Sequence, residues 1–246
     1  MLRLLSAAAR VFAFFAAAAL VVGLAATPAA SAQQSLNVSI GRFNPRGEDA
    51  RTPNDVLVND LTQLPLIFEI SDFHSVVIGA DYLIGFGNNF EAGLGVGFQQ
   101  RSVPSVYADV INNDGSEIEQ TLKLRVIPFT ATVRFLPLGR HAVVEPYIGA
   151  GVGVFTFRYS ESGQWVDRSN NSIFRDSFTG SGSTAGPIIV GGIRAPFGNV
   201  SPGFEVRYQS AAGDLPADQF TSNTTSAAAK IDLGGFTYLF SLNFRF

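Results

Sequence analysis

The sequence predicts an all-β protein: an eight-stranded antiparallel up-and-down transmembrane β-barrel with long loops at one end and short turns at the other. Three observations carry this reading. Bulky apolar residues alternate with small or polar ones along eight separate stretches, as one-sided strands require because successive side chains point to opposite faces. The connections between these stretches run long, short, long, short, long, short, long, the pattern of a sheet elaborated at one end only. The N-terminus carries Arg3 and Arg10, an uncharged apolar run from Val11 to Leu24, and the small-x-small sequence Ala30-Ser31-Ala32, which together read as an export leader.

Residues 1–32 are therefore expected to be a cleaved signal peptide and 33–246 a single barrel domain beginning at Gln33. The apolar run is shorter than the roughly 20 residues of a spanning helix. Later apolar stretches are broken every few residues by Gly, Arg or Glu, so entry into lipid has to use a closed barrel. Losing Arg3 and Arg10 moves the net charge from -3 to -5, which argues against a nucleic-acid partner. The lack of cysteine excludes disulfides, thiolate metal sites and a thiol nucleophile.

In the first strand Leu36, Val38 and Ile40 oppose Asn37, Ser39 and Gly41. A polar segment follows over 44–72. Within it Thr52-Pro53-Asn54-Asp55 reads as a helix start, with Thr52 as cap and Pro53 at the first helical position, giving a short helix over 56–61. Leu66 to Ile70 reads as an extension of the second strand, which places Val76, Ile78, Ala80 and Tyr82 opposite Asp81. In the third strand Phe90, Ala92, Leu94, Val96 and Phe98 face away from Glu91, Gly93, Gly95, Gly97 and Gln99. A loop over 102–117 then leads to the fourth strand. There the apolar set moves from Leu122, Leu124 and Val126 to Phe129, Ala131, Val133 and Phe135, so a bulge is predicted between Val126 and Phe129, beside Pro128.

The fifth strand sets Val144, Pro146, Ile148, Ala150, Val152 and Val154 against Glu145, Tyr147, Gly149, Gly151 and Gly153. A polar loop over 160–183 carries Trp165, and the sixth strand covers 185–194. The seventh opposes Phe204, Val206 and Tyr208 to Glu205, Arg207 and Gln209, and a last loop spans 210–229. The eighth strand is the terminal run GFTYLFSLNFRF. Ile231 and Leu233 are out of phase with Phe236, which predicts a second irregularity at Gly234-Gly235. Pairing of the last strand with the first removes the free edges of the sheet.

Alternation alone leaves open whether the apolar face is outside, in lipid, or inside, around a ligand. Eight strands enclose only enough space for side chains. The glycine rows of the third and fifth strands suit that cramped interior, so the bulky face is placed in lipid. In such barrels the short turns are periplasmic and the long loops extracellular.

The terminal FRF, the aromatics at alternate positions before it, and PYIGAGVGVF from Pro146 to Phe155 resemble the small eight-stranded outer-membrane barrels, the OmpA, OmpX and OmpW-like group, across the mature chain. The resemblance implies location in the bacterial outer membrane among lipids that include lipopolysaccharide. It also implies that Tyr238, Phe244 and Phe246 serve as an assembly signal for the barrel assembly machinery, with periplasmic chaperones as further partners. Nothing follows Phe246, so the peptidoglycan-binding domain appended to some relatives is not expected.

Near the short turns the polar face holds one charge per strand: Asp81, Glu91, Arg134, Glu145, Arg194, Glu205 and Arg245. From Glu91 onward the signs alternate, so neighbours are expected to pair around a ring and close the lumen, since buried charges have to be paired. Higher up, Arg101, Glu119, Lys123, Arg125, Lys230 and Asp232 are expected to fill more of the interior, with Lys123 and Arg125 extending inward over the glycine rows. Catalysis would need a base and a nucleophile on one face. His74 and Ser75 are adjacent and point opposite ways, and His141 lies in a turn. Asn112 to Glu117 offers oxygen ligands suited to calcium, but Asp114-Gly115 also makes a tight turn, and the turn reading prevails. No catalytic, cofactor or metal site is therefore expected. The functional expectation is a non-enzymatic barrel with a structural or surface-interaction role and a largely side-chain-filled lumen. The alternative is a narrow transporter of small molecules, hydrophobic ones included, across the outer membrane, for which a continuous cavity and a wall gap near Pro128 would speak; the extracellular partner is unknown.

Overall fold

A computed structural model of the chain describes residues 34–63, 66–167, 170, 172–220 and 229–246. The expected leader and its cleavage site lie outside these residues. Strand β1 (Gln34–Pro45) is followed by helix α1 (Val56–Gln63), the short β2 (Leu66–Ile67) and a 3-10 turn over Ile70–Phe73. Then come β3 (Ser75–Phe86), β4 (Phe90–Ile111), β5 (Glu117–Phe135), β6 (Glu145–Asp167), β7 (Ser172–Arg194) and β8 (Val200–Gln209). The short β9 (Ala212–Asp214) and β10 (Lys230–Asp232) precede the closing strand β11 (Gly235–Arg245). Eight of these strands form an antiparallel ring in the order β1, β3, β4, β5, β6, β7, β8, β11, and β11 closes on β1 with Leu36 opposite Phe244 and Ile40 opposite Phe240.

The apolar face is the outer one. Ile40 and Phe240 are 57% and 68% exposed, whereas Ser35, Asn37 and Asn243 on the alternate face are buried. On β5 the outward apolar positions run from Ile127 to Phe135, matching the 9–11 residues, roughly, that a tilted strand needs to cross the hydrocarbon. Aromatic pairs mark both edges of this belt. Phe86 stacks on Phe90, which meets Phe135, at the short-turn end, and Tyr208 meets Phe236 at the other.

Two expected loops are strands. β4 and β5 continue as a hairpin to a turn at residues 112–116, and β6 and β7 stay paired from Glu145–Arg194 to Asp167–Ser172. Above the lipid the outer wall meets water, so these extensions need no greasy outer face, and alternation no longer reveals them. Trp165 therefore sits on β6, edge-on to Phe178 with ring centroids 4.9 Å apart.

The bulge expected near Pro128 does not form. β5 pairs with β6 without a register break from Gln120 to Phe135, and every even position points inward. The hydrophobic phase changes because the apolar surroundings change sides: Phe129 to Phe135 face lipid, whereas Ile118, Leu122 and Val126 face an apolar chamber inside the upper barrel. Phe155, Phe157 and Tyr159 from β6 and Ile188 and Val190 from β7 line the same chamber. Pro128 leaves one mark: Gly97 and Phe98 of β4 have no partner on β5 there, as a residue without an N–H would cause.

The segment between β1 and β3 caps the chamber. Helix α1 begins where expected, but its cap is Asp55, whose carboxylate accepts from the backbone N–H of Leu57 at 3.1 Å and of Val58 at 3.4 Å; Asn54 before it takes a left-handed φ of 60°. Leu57 is fully buried in the chamber. β2 is not an extension of the next strand; it folds back to pair with β4, Leu66 opposite Tyr107. The second irregularity falls where expected: β10 pairs with β9, Leu233 and Gly234 break the strand, and Ile231 and Leu233 point into the chamber instead of lipid.

A ring without free edges should resist detergent at room temperature. Unboiled protein is expected to run at a different position from boiled protein on a denaturing gel, and identical mobility would contradict closure through β1 and β11.

Candidate functional site: a lumen closed by two different means

Ion pairs occupy the lumen near the short turns. Two groups form instead of one ring. In the first, Arg134 lies 3.0 Å from Glu205 and 3.8 Å from Asp81, and Arg207 lies 2.7 Å from Glu205 and 3.3 Å from Asp81. In the second, Arg194 lies 2.9 Å from Glu91 and 3.4 Å from Glu145, Arg140 lies 3.7 Å from Glu91, and Arg245 pairs with Glu145. The backbone register sets Glu91 beside Arg134, but these two do not pair. The lumen is narrow enough for Arg134 to reach Glu205 on β8, and Glu91 is taken by Arg194 and Arg140. Tyr147 joins the groups: its hydroxyl donates to Glu205 at 2.9 Å, and the guanidiniums of Arg134 and Arg194 lie 5.0 and 5.3 Å from its ring centre.

The seven charged positions singled out from the sequence thus all enter these groups, joined by Arg207 and Arg140. Arg207 was legible, since it shares the inward phase of Glu205. Arg140 sits in the connection after β5 and carries no periodic signal. It enters because Gly85 has no side chain; a Cβ there would stand 1.4 Å from Arg140 Nη1. A Cβ on Gly95 would likewise meet the Asp81 carboxylate at 2.1 Å, so this glycine gives the ion pairs their room.

Above the charges the lumen is filled by the apolar chamber, and a second polar knot ties its cover down. Arg51 makes a two-pronged contact with Asp55, at 2.9 and 3.0 Å, and donates to the Asp232 carbonyl. Asp55 also accepts from the Asp232 N–H, while Asp232 accepts from the N–H groups of Thr52 and Gly234 and pairs with Arg46 at 3.3 Å. Asp232 is thus a tie between cover and barrel, and the Lys230 backbone N–H adds another by donating to the Asn54 carbonyl at 2.9 Å, whereas the Lys230 side chain makes an exposed contact with Asp214.

Beneath α1, beyond the lipid belt, lies a carboxyl pair the sequence reading did not single out. Asp60 of α1 faces Glu161 of β6, and the Tyr159 hydroxyl donates to Asp60 at 3.3 Å. Burial pushes the Glu161 carboxyl up to about 7. Burial, then the charge of Glu161, holds Asp60 well above the usual carboxylate range. Only the contact between distant parts of the chain makes this pair, so no local pattern announces it.

The other candidates separate. Lys123 and Arg125 point outward, contrary to expectation, because β5 turns its even residues inward throughout. Glu119 is also exposed on the outer side, and Arg101 donates to the Asp72 carbonyl. His74 is engaged through Nδ1 by Arg42, and partial burial with the charges of Arg42 and Arg101 lowers its pKa; Ser75 points into the barrel, and His141 is exposed. Asn112 to Glu117 is the β4–β5 turn: Gly115 takes a φ of 86°, and the Asp114 carboxylate accepts from the Ser116 N–H and hydroxyl. Tyr238, Phe244 and Phe246 are exposed on the outer wall.

This architecture is similar to that of the outer membrane protein OprG from Pseudomonas aeruginosa, with a TM-score of 0.50 and 10% identity over 87% of this chain and 96% of that one. Neisserial surface protein A matches with a TM-score of 0.43, at 10% identity over 87% of this chain and 97% of that one. A major outer membrane protein from Thermus thermophilus matches at 0.43, at 11% identity over 88% and 100%. No protein-family model matches the sequence, and no curated protein matches it significantly. At such identities the likeness is one of fold: the chain is an eight-stranded antiparallel up-and-down β-barrel.

Arg134→Glu places a third carboxylate between Asp81 and Glu205 and is expected to cost about 3–5 kcal/mol, the penalty for an unpaired buried charge. Adding Glu205→Arg should recover part of the loss in urea unfolding from lipid vesicles. For Glu161 the folded state holds a proton that the unfolded chain releases nearer the ordinary value of 4.5. Its contribution is fully present below that value and is lost as pH rises through about 7. The urea midpoint should therefore fall between pH 6 and pH 8, and the fall should be smaller in Glu161→Gln.

Proposed function

We propose that the protein is a closed, non-enzymatic barrel whose role in the outer membrane is structural and interactive, exercised through its rigid extracellular hairpins. The observation that carries this is the filling of the lumen along its length, by ion pairs below and an apolar core with a helical cover above. Among the described residues, two cavities beside these layers measure about 20 Å³ and 10 Å³, space for about one water each, while a hollow of about 1030 Å³ is lined mainly by exposed apolar residues of the outer wall such as Ile40, Ile78 and Phe240. β6 continues from Arg158 to Asp167, about 30 Å along the strand, and such a hairpin presents its tip as a fixed surface. The engagement of His74 by Arg42, with Ser75 turned away, supports a non-catalytic role. The outward Tyr238, Phe244 and Phe246 suit an assembly signal read along the edge of β11.

A second reading rests on the interrupted β4–β5 ladder at Gly97 and Phe98. An opening of the wall there, beside the apolar chamber, would let a small apolar molecule leave sideways into lipid. Planar bilayers and dye-loaded vesicles separate the two. The closed barrel is expected to give neither porin-sized conductance nor accelerated uptake of an apolar dye. Conductance would overturn the filled lumen, and uptake alone would favour the lateral route.

A further inference from the structure

The two ends of the cover helix are held to the barrel by opposite chemistry. At the start of α1 the Asp55 carboxylate is met by the Arg51 guanidinium and by the Asp232 N–H. Asp60, five residues on and about 7.5 Å along the helix axis, is instead buried against a second carboxyl, that of Glu161 on the β6 wall. The Tyr159 hydroxyl donates to Asp60 at 3.3 Å, while Glu161 Oε1, also buried, has no hydrogen-bond partner.

Among the described residues, the elements around α1 bring no positive charge to this pair. Arg51 is committed to Asp55, and the Asp55 carboxylate is the next charge that Asp60 meets, a repulsive one. β10 brings Lys230, whose amine reaches out to Asp214, and Asp232, which is paired with Arg46. β4 contributes Tyr107, whose hydroxyl accepts from Gln120 of β5. β7 contributes Phe178 opposite Glu161, with Asp176 exposed above it, and Asp218 after β9 is exposed as well. β2 carries only Leu66 and Ile67. No third carboxylate, histidine or cysteine completes a cation site.

Two carboxyls that share a site without a cation cannot both be ionised. One shared proton turns their contact into a hydrogen bond. Its loss sets two buried negative charges against each other, and the relief open to them is hydration, which requires α1 to part from β6. Beyond Asp60 the cover is tied down by the packing of Leu61 and by the two ladder pairs of β2, Leu66 with Tyr107 and Ile67 with Val106. The Asp55 knot has no part in the repulsion and stays in place.

We propose that Asp60, Glu161 and Tyr159 form a proton-operated latch: with one proton shared between the carboxyls the cover is seated, and when it leaves, the second half of α1 swings away from β6 about the Asp55 knot and admits water to the apolar chamber. The ion-paired layer below stays shut, so the latch regulates entry to the upper lumen alone and does not depend on the surface role of the hairpins. Burial pushes the Glu161 carboxyl up to about 7, against an ordinary value of 4.5. The closed form is therefore fully favoured below the ordinary value and gives way as pH rises through about 7.

The sequence has no cysteine, so paired nitroxide labels can be placed uniquely, at Thr62→Cys on the exposed side of α1 and Thr156→Cys on the outer wall of β6. Their separation is measured by pulsed electron paramagnetic resonance on the full barrel in lipid vesicles at pH 6 and pH 8, and heat-dependent gel mobility confirms that each variant is folded. A longer-distance population is expected to grow at pH 8. The ratio of open to closed forms should rise about tenfold over this interval, as linkage to a carboxyl at about 7 when closed and 4.5 when open requires. Asp60→Asn and Glu161→Gln keep hydrogen-bonding groups but remove one charge, and each should hold the short distance at both pH values. His74→Gln and His141→Gln, which replace the two histidines of the chain, should respond like the parent. An unchanged distance between pH 6 and pH 8 in the folded parent would overturn the latch. So would a pH response that survives in both Asp60→Asn and Glu161→Gln, or one that vanishes in either histidine variant.

Discussion

The constraint on which this structure depends is the width of its lumen. Eight strands leave an interior only as wide as the side chains that fill it, so each inward residue must be very small, packed against carbon, or paired with an opposite charge. The lower half uses charge: four carboxylates, Asp81, Glu91, Glu145 and Glu205, meet five guanidiniums, those of Arg134, Arg140, Arg194, Arg207 and Arg245. The upper half uses carbon, with rings and branched side chains from β4 through β7 packed beneath α1. Glycine makes the change between them possible. Gly93, Gly95, Gly149, Gly151 and Gly153 occupy inward positions where an added Cβ would fall within 3 Å of a neighbour.

The same constraint explains which parts of the fold were legible. Within the lipid belt an apolar outer face is obligatory, so the alternation of Leu36, Val38 and Ile40, or of Phe236 through Phe244, states both strand and polarity. Beyond the belt that obligation ends. β6 and β7 continue as one paired hairpin, but Ser181 and Ser183 can face water and Gly180 and Gly182 can face the chamber, leaving a stretch that reads as loop. The misplaced bulge at Pro128 has the same origin. A period of two in hydrophobicity identifies the face in contact with carbon, and along β5 that face is the lipid side below Pro128 and the chamber side above it. A continuous strand crossing from one apolar environment to another imitates a one-residue slip.

The charged site was legible as membership but not as pairing. The inward phase of each strand, together with proximity to the short turns, identifies Asp81, Glu91, Arg134, Glu145, Arg194, Glu205 and Arg245. Register then suggests that cross-strand neighbours should pair. Within a lumen this narrow, long arginine side chains can choose partners across the barrel, and Arg134 takes Glu205 and Asp81 instead of its neighbour Glu91. Sequence also cannot show that Arg140, from a connection, enters over Gly85, or that Asp60 and Glu161 meet across a separation of about a hundred residues.

The cover on the chamber follows from how its polar ends are held. An eight-residue helix has little stability of its own in water, so α1 must be fixed by contacts outside itself. Its apolar face supplies some through Val56 and Leu57, but apolar packing is not directional and would tolerate sliding. Asp55 supplies direction. One carboxylate caps the helix, grips Arg51 and receives the backbone N–H of Asp232, tying the first turn of the helix to β10. The tie reaches the segment just before β11, the strand whose pairing with β1 completes the ring. Asp232 is itself placed by the pairing of β10 with β9, opposite Ala212, so the cover is held by a segment anchored to the barrel on one side and leading directly into the closing strand on the other.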